Sequence, residues 1–280
     1  MKNYLITGAS SYLASNLIPE LLKQEGKFYL VTRDLKKLEN FRNHKNVELL
    51  LLDGCFYENI STLNIDVVFH IAATYSTAQT TDEMVLNSNF DFPKMTIEAI
   101  KNREKKISFF HMDTPIARDT NLYSKTKGGL VSFLKNEFDF FNVYNFKIEN
   151  FYGAGDSRFV NWLIDNMKER IESLDFTDGL QRRDFIYVTD VCDALLTVLN
   201  NSSKLVGFCE FDVGSGVNHS IRELVNLIKK VTDNSETICN WGAVPNRNNE
   251  LMESTPDLSP LKKLGWLPKY SLEEGIKKSI

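Results

Sequence analysis

Apolar-rich runs of strand length recur through the first part of this chain, at Lys2 to Thr7, Phe28 to Thr32, Val47 to Leu52, Val67 to Ala72 and Ile107 to His111. Between them lie stretches with helical spacing, such as Leu13 to Gln24, which carries Pro19 as an irregularity, and Thr81 to Ile100. A strand whose hydrophobicity is continuous rather than alternating is covered on both faces, as in a parallel sheet flanked by helices. The alternation therefore predicts an α/β fold, a Rossmann-type doubly wound parallel sheet over residues 1–149. Beyond Phe151 the pattern loosens around Gly153, Gly155, Gly179, Gly214, Gly216 and Pro245. That predicts a smaller C-terminal substrate-binding lobe from 150–182 and 213–280, with 183–212 returning to the sheet. In open α/β sheets ligands bind at the carboxyl ends of the strands, so the loops after these runs should face one crevice.

The totals exclude several classes. With 280 residues the chain can bury a large core. A formal charge of -4 and no basic stretch longer than Lys105-Lys106 or Arg182-Arg183 argue against a nucleic-acid partner. The four cysteines, Cys55, Cys192, Cys209 and Cys239, are scattered without a CxxC, so neither a zinc site nor a disulfide frame is indicated. His70 and His111 lie in apolar strands, read as core residues, and no metal-ligand spacing surrounds them. No apolar run approaches about 18 residues, and no charged segment leads into an apolar one near the start. The expectation is a cytoplasmic protein with no membrane partner.

The first strand runs into Thr7-Gly8-Ala9-Ser10-Ser11-Tyr12-Leu13-Ala14, with glycine at only the first of the three positions of a TGxxGxxG turn. The turn needs a tight bend, close approach to a pyrophosphate and close helix packing, and Gly8, Ser11 and Ala14 are small enough for those tasks. Ser10, Ser11, Tyr12 and Leu13 join Gly8 as candidate cofactor contacts. The same residues would serve an ordinary helix start, so other positions decide. The second strand ends Val31-Thr32-Arg33 with a cation where an NAD-binding chain carries an acid. Arg33 suits a 2′-phosphate, which favours NADP(H) over NAD(H), against the plain reading of an exposed charge. Asp53 is placed to hold an adenine amino group, and Ala72-Ala73 offers small side chains beside a passing cofactor.

Tyr123 and Lys127 stand one helical turn apart in Tyr123-Ser124-Lys125-Thr126-Lys127. On one helix face an ammonium favours the phenolate, lowering a pKa that starts near about 10. Such a tyrosine exchanges a proton with a carbinol oxygen. The spacing also arises by chance on a solvated helix, so its weight comes from the nucleotide-binding features upstream.

With these segments the chain resembles the extended short-chain dehydrogenase/reductase family, the nucleotide-sugar epimerase/dehydratase group. The matching stretches are Leu5 to Gly8, Asp66 to Ala73, Asn89, Tyr123 to Lys127, Asn150 to Gly153, Arg183 to Val188, Val213 to Gly216 and Leu264 to Trp266. The resemblance implies Tyr123 as acid/base, Lys127 as its partner and ribose ligand, and Thr114 as the hydroxyl that orients the reacting oxygen. It implies Asn89 as support for the active-site helix or a water, and counts it with the cofactor contacts. Thr74, Asn150, Arg158, Arg183 and Arg247 fall on the substrate side, the guanidiniums being suited to a sugar diphosphate. The plain alternative for Arg183 and Arg247 is a surface ion pair with Asp184 and Glu250. The family also implies a homodimer through the Tyr123 helix, for which Leu130, Val131, Phe133, Leu134 and Phe138 supply apolar surface.

Within that group, 4,6-dehydratases follow the hydroxyl residue with an Asp-Glu pair, whereas Thr114 is followed by Pro115 and Ile116. The stretch Asn240 to Glu250 and the short Thr114 to Tyr123 connection resemble the 4-ketoreductase branch, that of the CDP-abequose and CDP-paratose synthases. The implied reaction is NADPH-dependent reduction of the C4 ketone of a CDP- or dTDP-linked 4-keto-6-deoxyhexose, for surface polysaccharide such as O-antigen. The alternatives are a C4 epimerase or dehydrogenase with retained NAD and a cofactor-sensing relative without chemistry.

Overall fold

The computed structural model describes residues 1–101, 105–137, 139–246 and 252–280, so Arg247, Asn248, Asn249, Glu250 and Phe138 lie outside the described residues. The chain divides into two units, Met1–Lys147 with Leu195–Phe211, and Ile148–Ala194 with Asp212–Ile280. The segment expected to return to the sheet at 183–212 is therefore split near residue 195, inside one helix (Val188–Asn201).

The first unit is built on β1 (Lys2–Thr7), β2 (Gly26–Thr32), β3 (Val47–Leu51), β4 (Val67–His70), β5 (Ile107–Asp113) and β6 (Phe141–Ile148). With the strand Phe208–Val213 they form a seven-stranded sheet in which that strand leads, followed by β6-β5-β4-β1-β2-β3. Every ladder from β3 to β6 is parallel, the doubly wound order predicted. The order reverses at β1/β4, so β1 and β4 open the switch-point crevice.

Five helices of this unit matter here, namely α1 (Tyr12–Leu21), α2 (Phe56–Ser61), α3 (Asp82–Leu86), α4 (Phe92–Ile100) and α5 (Leu122–Leu134). Leu5, Val68, Phe109 and Val143 of the sheet pack with Ile97 and Ile100 of α4 and Leu130 and Leu134 of α5 in one buried cluster. Leu130 and Leu134, offered above as apolar dimer surface, are thus enclosed within the unit. The helix expected over Thr81 to Ile100 is broken by a wide π-turn at Asn87–Asp91 between α3 and α4. Burying Ile97 and Ile100 in the core while Asn89 keeps its own buried partners requires that change of pitch, which apolar spacing alone does not reveal.

The second unit holds a three-stranded sheet of Asn150–Tyr152, Arg182–Tyr187 and Asn218–Ser220, and a two-stranded parallel pair of Ser173–Phe176 with Ile238–Trp241. Its own core gathers Leu163, Ile164, Met167, Leu224, Ile228 and Ile276. Among the described residues no helix is long and apolar enough to cross a membrane.

Candidate functional site

Gly8 closes β1 with φ +67°, and a Cβ there would stand 2.6 Å from the Ala72 nitrogen, so the backbone after β1 touches the backbone after β4. Only glycine satisfies both demands. Ser11 follows as the N-cap of α1, its hydroxyl accepting the Ala14 N–H at 3.4 Å. A helix start leaves its first N–H groups without intrahelical partners, the arrangement that receives phosphate.

Over this turn lies a cavity of about 490 Å³ lined by Gly8, Ser10, Ser11, Arg33, Ala72, Ala73 and Thr74 from the sequence reading. It is also lined by Lys37, Met84, Asn87, Ser88 and Phe92, which that reading missed. Lys37 lies in the short helix Leu35–Phe41 that follows Arg33, and no periodic spacing marks it in the sequence. Ala72 and Ala73 lie past the end of β4 at His70, in the loop rather than in the strand as expected. Asp53 and Leu13 do not line the cavity: the Asp53 carboxylate accepts the Cys55 N–H at 3.0 Å, and Leu13 is buried in the core. Tyr12, the first residue of α1, is likewise outside the lining. The small-residue turn and the capped helix start fit a nicotinamide dinucleotide, with two cations on the cavity wall.

The second half of the site stands on α5 and the end of β5. Asn121 caps α5, accepting the Ser124 N–H at 2.9 Å while the Ser124 hydroxyl answers to the Asn121 backbone. This starts the helix one turn before Lys127 and places Tyr123 and Lys127 on its buried face, 7% and 1% exposed. The Lys127 ammonium lies 5.9 Å from the centre of the Tyr123 ring and donates to the Met112 carbonyl of β5 at 2.7 Å. Burial lowers the Lys127 pKa to about 8, a loss that Asp113 opposes and Arg118 reinforces.

Thr114 follows β5 directly and is buried. Its N–H donates to Asp113 Oδ1 at 2.8 Å, and its own Oγ1 accepts the Ile116 N–H at 3.3 Å. Arg118 grips the same carboxylate with both nitrogens, Nη1 to Oδ1 at 2.7 Å and Nη2 to Oδ2 at 2.5 Å. Burial alone would raise the Asp113 pKa, but Arg118 and Asn145, joined by His111 once acid protonates it, bring it down to about 2. Sequence reasoning overlooked Asp113 and Arg118, whose pairing across the loop follows no periodic pattern.

Asn89 is fully buried and clamps Thr74 in both directions, accepting its N–H and donating to its carbonyl, each at 2.8 Å. Its amide also reaches Thr126 Oγ1 at 3.4 Å. The π-turn, the loop after β4 and α5 are joined through this one side chain. Next to Thr74, the half-exposed Tyr75 ring lies 4.8 Å from that of Tyr123. Behind them His70 and His111 stack at 6.0 Å, fully buried, and burial pushes both pKa values down, His111 to about 3. They are neutral core histidines, as read from sequence.

The remaining candidates belong to the second unit. Asn150 Nδ2 donates to the Asp184 carbonyl at 3.3 Å, and Arg183 Nη1 donates to the Arg182 carbonyl at 2.8 Å. Asp184 receives the N–H groups of Ser215 and Gly216, each at 2.7 Å. Arg158 is drawn to Asp156 at 2.9 Å and lies 3.8 Å over the Phe151 ring.

Comparison with known proteins places these features in a lineage. The profile of the NAD dependent epimerase/dehydratase family matches residues 4–214. The chain is 29% identical to the CDP-abequose synthase of Salmonella typhimurium, covering 100% of this chain and 98% of that protein. It is 27% identical to the dTDP-D-glucose 4,6-dehydratase of Mus musculus, covering 100% and 88%. Among solved structures, UDP-glucuronic acid 4-epimerase from Bacillus cereus, in complex with UDP-glucuronic acid and NAD, superposes with a TM-score of 0.86 at 20% identity, covering 99% of this chain and 97% of the other.

Proposed function

Since the chain belongs to the NAD dependent epimerase/dehydratase family, we propose that it is an oxidoreductase that reduces the C4 ketone of a nucleotide-linked 4-keto-6-deoxyhexose. The observation that carries this reading is the acid–base inventory around Thr114. Tyr123 and Lys127 are buried together against the end of β5. The acid that adjoins Thr114, Asp113, is held ionised with a pKa of about 2. A carboxylate so locked cannot protonate a leaving hydroxyl at neutral pH, and Pro115 and Ile116 stand where a dehydratase carries its Asp-Glu pair. What is left is proton exchange at one oxygen.

A nicotinamide dinucleotide, held by Gly8, Ser10, Ser11, Ala72 and Ala73, would supply the hydride. Tyr123 gives its phenolic proton to the oxygen that becomes the C4 hydroxyl. Thr114 donates a hydrogen bond to that oxygen, and Lys127 keeps the phenol acidic, restores its proton and would hold the ribose of the dinucleotide. Arg33 and Lys37 at the cavity wall favour a 2′-phosphate and hence NADPH, which a reductase must take up and release. Asn150, Arg158, Arg183 and Arg247 take the sugar diphosphate. The likeness to CDP-abequose synthase supports a CDP- or dTDP-linked substrate in deoxysugar biosynthesis for surface polysaccharide. A cytoplasmic homodimer is the form we assign.

The test is incubation of the purified protein with NADPH or NADH and a panel of NDP-4-keto-6-deoxyhexoses generated in situ, following loss of the nicotinamide absorbance. NADPH oxidation with one member is the expected result. No oxidation with any member, together with NAD released on denaturation, would move the reading to a C4 epimerase.

A further inference from the structure

Lys127 is fully enclosed, yet its ammonium is tied to a backbone carbonyl rather than to a carboxylate. That carbonyl belongs to Met112, so the next residue along β5, Asp113, brings the nearest acid of the strand beside the lysine. The Asp113 carboxylate is itself buried and already gripped by Arg118, which comes from the connection between β5 and α5. Arg118 crosses the first turns of α5 at Gly128, where a Cβ would fall 2.7 Å from its Cδ. The residue after Lys127 thus lacks a side chain where the guanidinium passes. Asn145 on β6 completes the cluster, donating to Asp113 Oδ2 at 2.9 Å and to Glu210 Oε2 at 3.0 Å.

Building on the acid–base role proposed for Lys127, we propose that Asp113 and Arg118 are positioning residues, a locked carboxylate and guanidinium whose opposed charges offset one another at Lys127, so that neither displaces its protonation, while the carboxylate fixes the backbone of Thr114. Every charged or titratable group that faces the lysine agrees with this division. His70 from β4 and His111 from β5 are neutral, because burial takes their pKa values far below the working range. Tyr123 on the same helix exchanges the proton in question. Among the described residues, the charges that act on the ammonium are the ion pair, Asp113 supporting it and Arg118 opposing it, while Glu210 beyond Asn145 acts on Arg118. Burial brings the lysine near neutrality, and the two opposed charges offset one another so that it stays there, as a relay requires. An unopposed carboxylate would hold that proton too tightly, and an unopposed guanidinium would expel it. Thr114 depends on the same Oδ1 that accepts Arg118 Nη1, so the orienting hydroxyl and the relay lysine are adjusted by one group.

The test reads Lys127 directly. In protein labelled with ¹⁵N-lysine, its side-chain resonance, assigned with Lys127→Arg, is followed from about pH 6 to about pH 10. The wild-type midpoint is expected at about 8. Arg118→Gln should raise it by roughly half a unit or more, about a threefold change in proton affinity, and Asp113→Asn should lower it by a similar amount. Arg118→Lys, which keeps the charge, should leave it in place. The double variant Asp113→Asn/Arg118→Gln leaves no charge stranded and should titrate close to wild type, which guards against a single variant that fails to fold. Any pattern other than opposite shifts from the two single variants, or a double variant displaced by as much as either one, overturns the proposal. This outcome is independent of the proposed reaction: a Tyr123→Phe protein that turned over substrate normally would remove the acid–base reading without altering these midpoints.

Discussion

Asp113 in the first unit and Glu149 in the second are buried carboxylates at the ends of sheet strands, 4% and 5% exposed, yet they are driven in opposite directions. Asp113 accepts from both Arg118 nitrogens, the Thr114 N–H and the Asn145 amide, and its pKa falls to about 2. Glu149 accepts from Ser254 Oγ at 2.5 Å, while its Oε2 is buried without a hydrogen bond and Asp184 and Asp212 add negative charge nearby. Burial, the largest cause, raises its pKa to about 7. Equal burial therefore decides nothing by itself. The donors supplied to each carboxylate decide, and the two carboxylates contribute stability in opposite pH windows.

The largest expected effect concerns the unit whose charges are fixed. Tyr123→Phe removes the proton donor and leaves the Asp113 cluster intact, so turnover should fall by roughly 10³-fold while NADPH binding, measured by fluorescence, stays within a few-fold. Unchanged turnover would remove the chemistry from the first unit.

The next effect probes the other half of the contrast. A raised carboxyl pKa contributes stability that is complete below the ordinary value of 4.5 and lost as pH rises through about 7. The loss for Glu149 is about 3 kcal/mol. Denaturant unfolding followed in the second unit should weaken between those pH values, and Glu149→Gln should flatten the profile. Asp113 has the opposite sign: its contribution is present above the ordinary value of 3.8 and is lost as pH falls toward 2. A Glu149→Gln protein with the wild-type pH profile would end the comparison.

Two smaller effects sharpen it at the cofactor cavity. Gly8→Ala forces a side chain into left-handed backbone and against the Ala72 nitrogen. It should cost about 2 kcal/mol in stability by calorimetry and weaken dinucleotide binding. Arg33→Ala should raise the NADPH dissociation constant roughly tenfold with little change for NADH, and Lys37→Ala should do the same to a lesser degree. Equal losses for both cofactors would show that these cations hold the pyrophosphate rather than a 2′-phosphate.

How far the sequence could be read follows from what leaves a local trace. The strands were legible because continuous apolar runs such as Phe28 to Thr32 and Val67 to Ala72 have no other stable place than a doubly covered sheet. Gly8 and the Tyr123–Lys127 pair were legible because a turn and a helix face are local geometries. Arg118 was not, since its partner Asp113 is defined by a loop that doubles back over α5. Ala72 and Ala73 were assigned to a strand because nothing in small side chains marks where a ladder stops. The split of the returning segment near residue 195 falls within one continuous amphipathic helix, where periodicity carries no boundary.

The π-turn at Asn87–Asp91 can be regarded as one residue of phase stored between two helical segments. An α-helix advances about 100° per residue, so deleting a single residue there would restore a regular helix and rotate everything before it by that angle relative to everything after. Ile97 and Ile100 would keep their seats in the core, while Met84, Asn87 and Ser88 would swing away from the cavity wall and Asn89 away from Thr74. In this stretch, register matters as much as residue identity. A chain one residue shorter between Thr81 and Phe92 could conserve every named side chain and still lose the cofactor site, because length alone sets which way those side chains face.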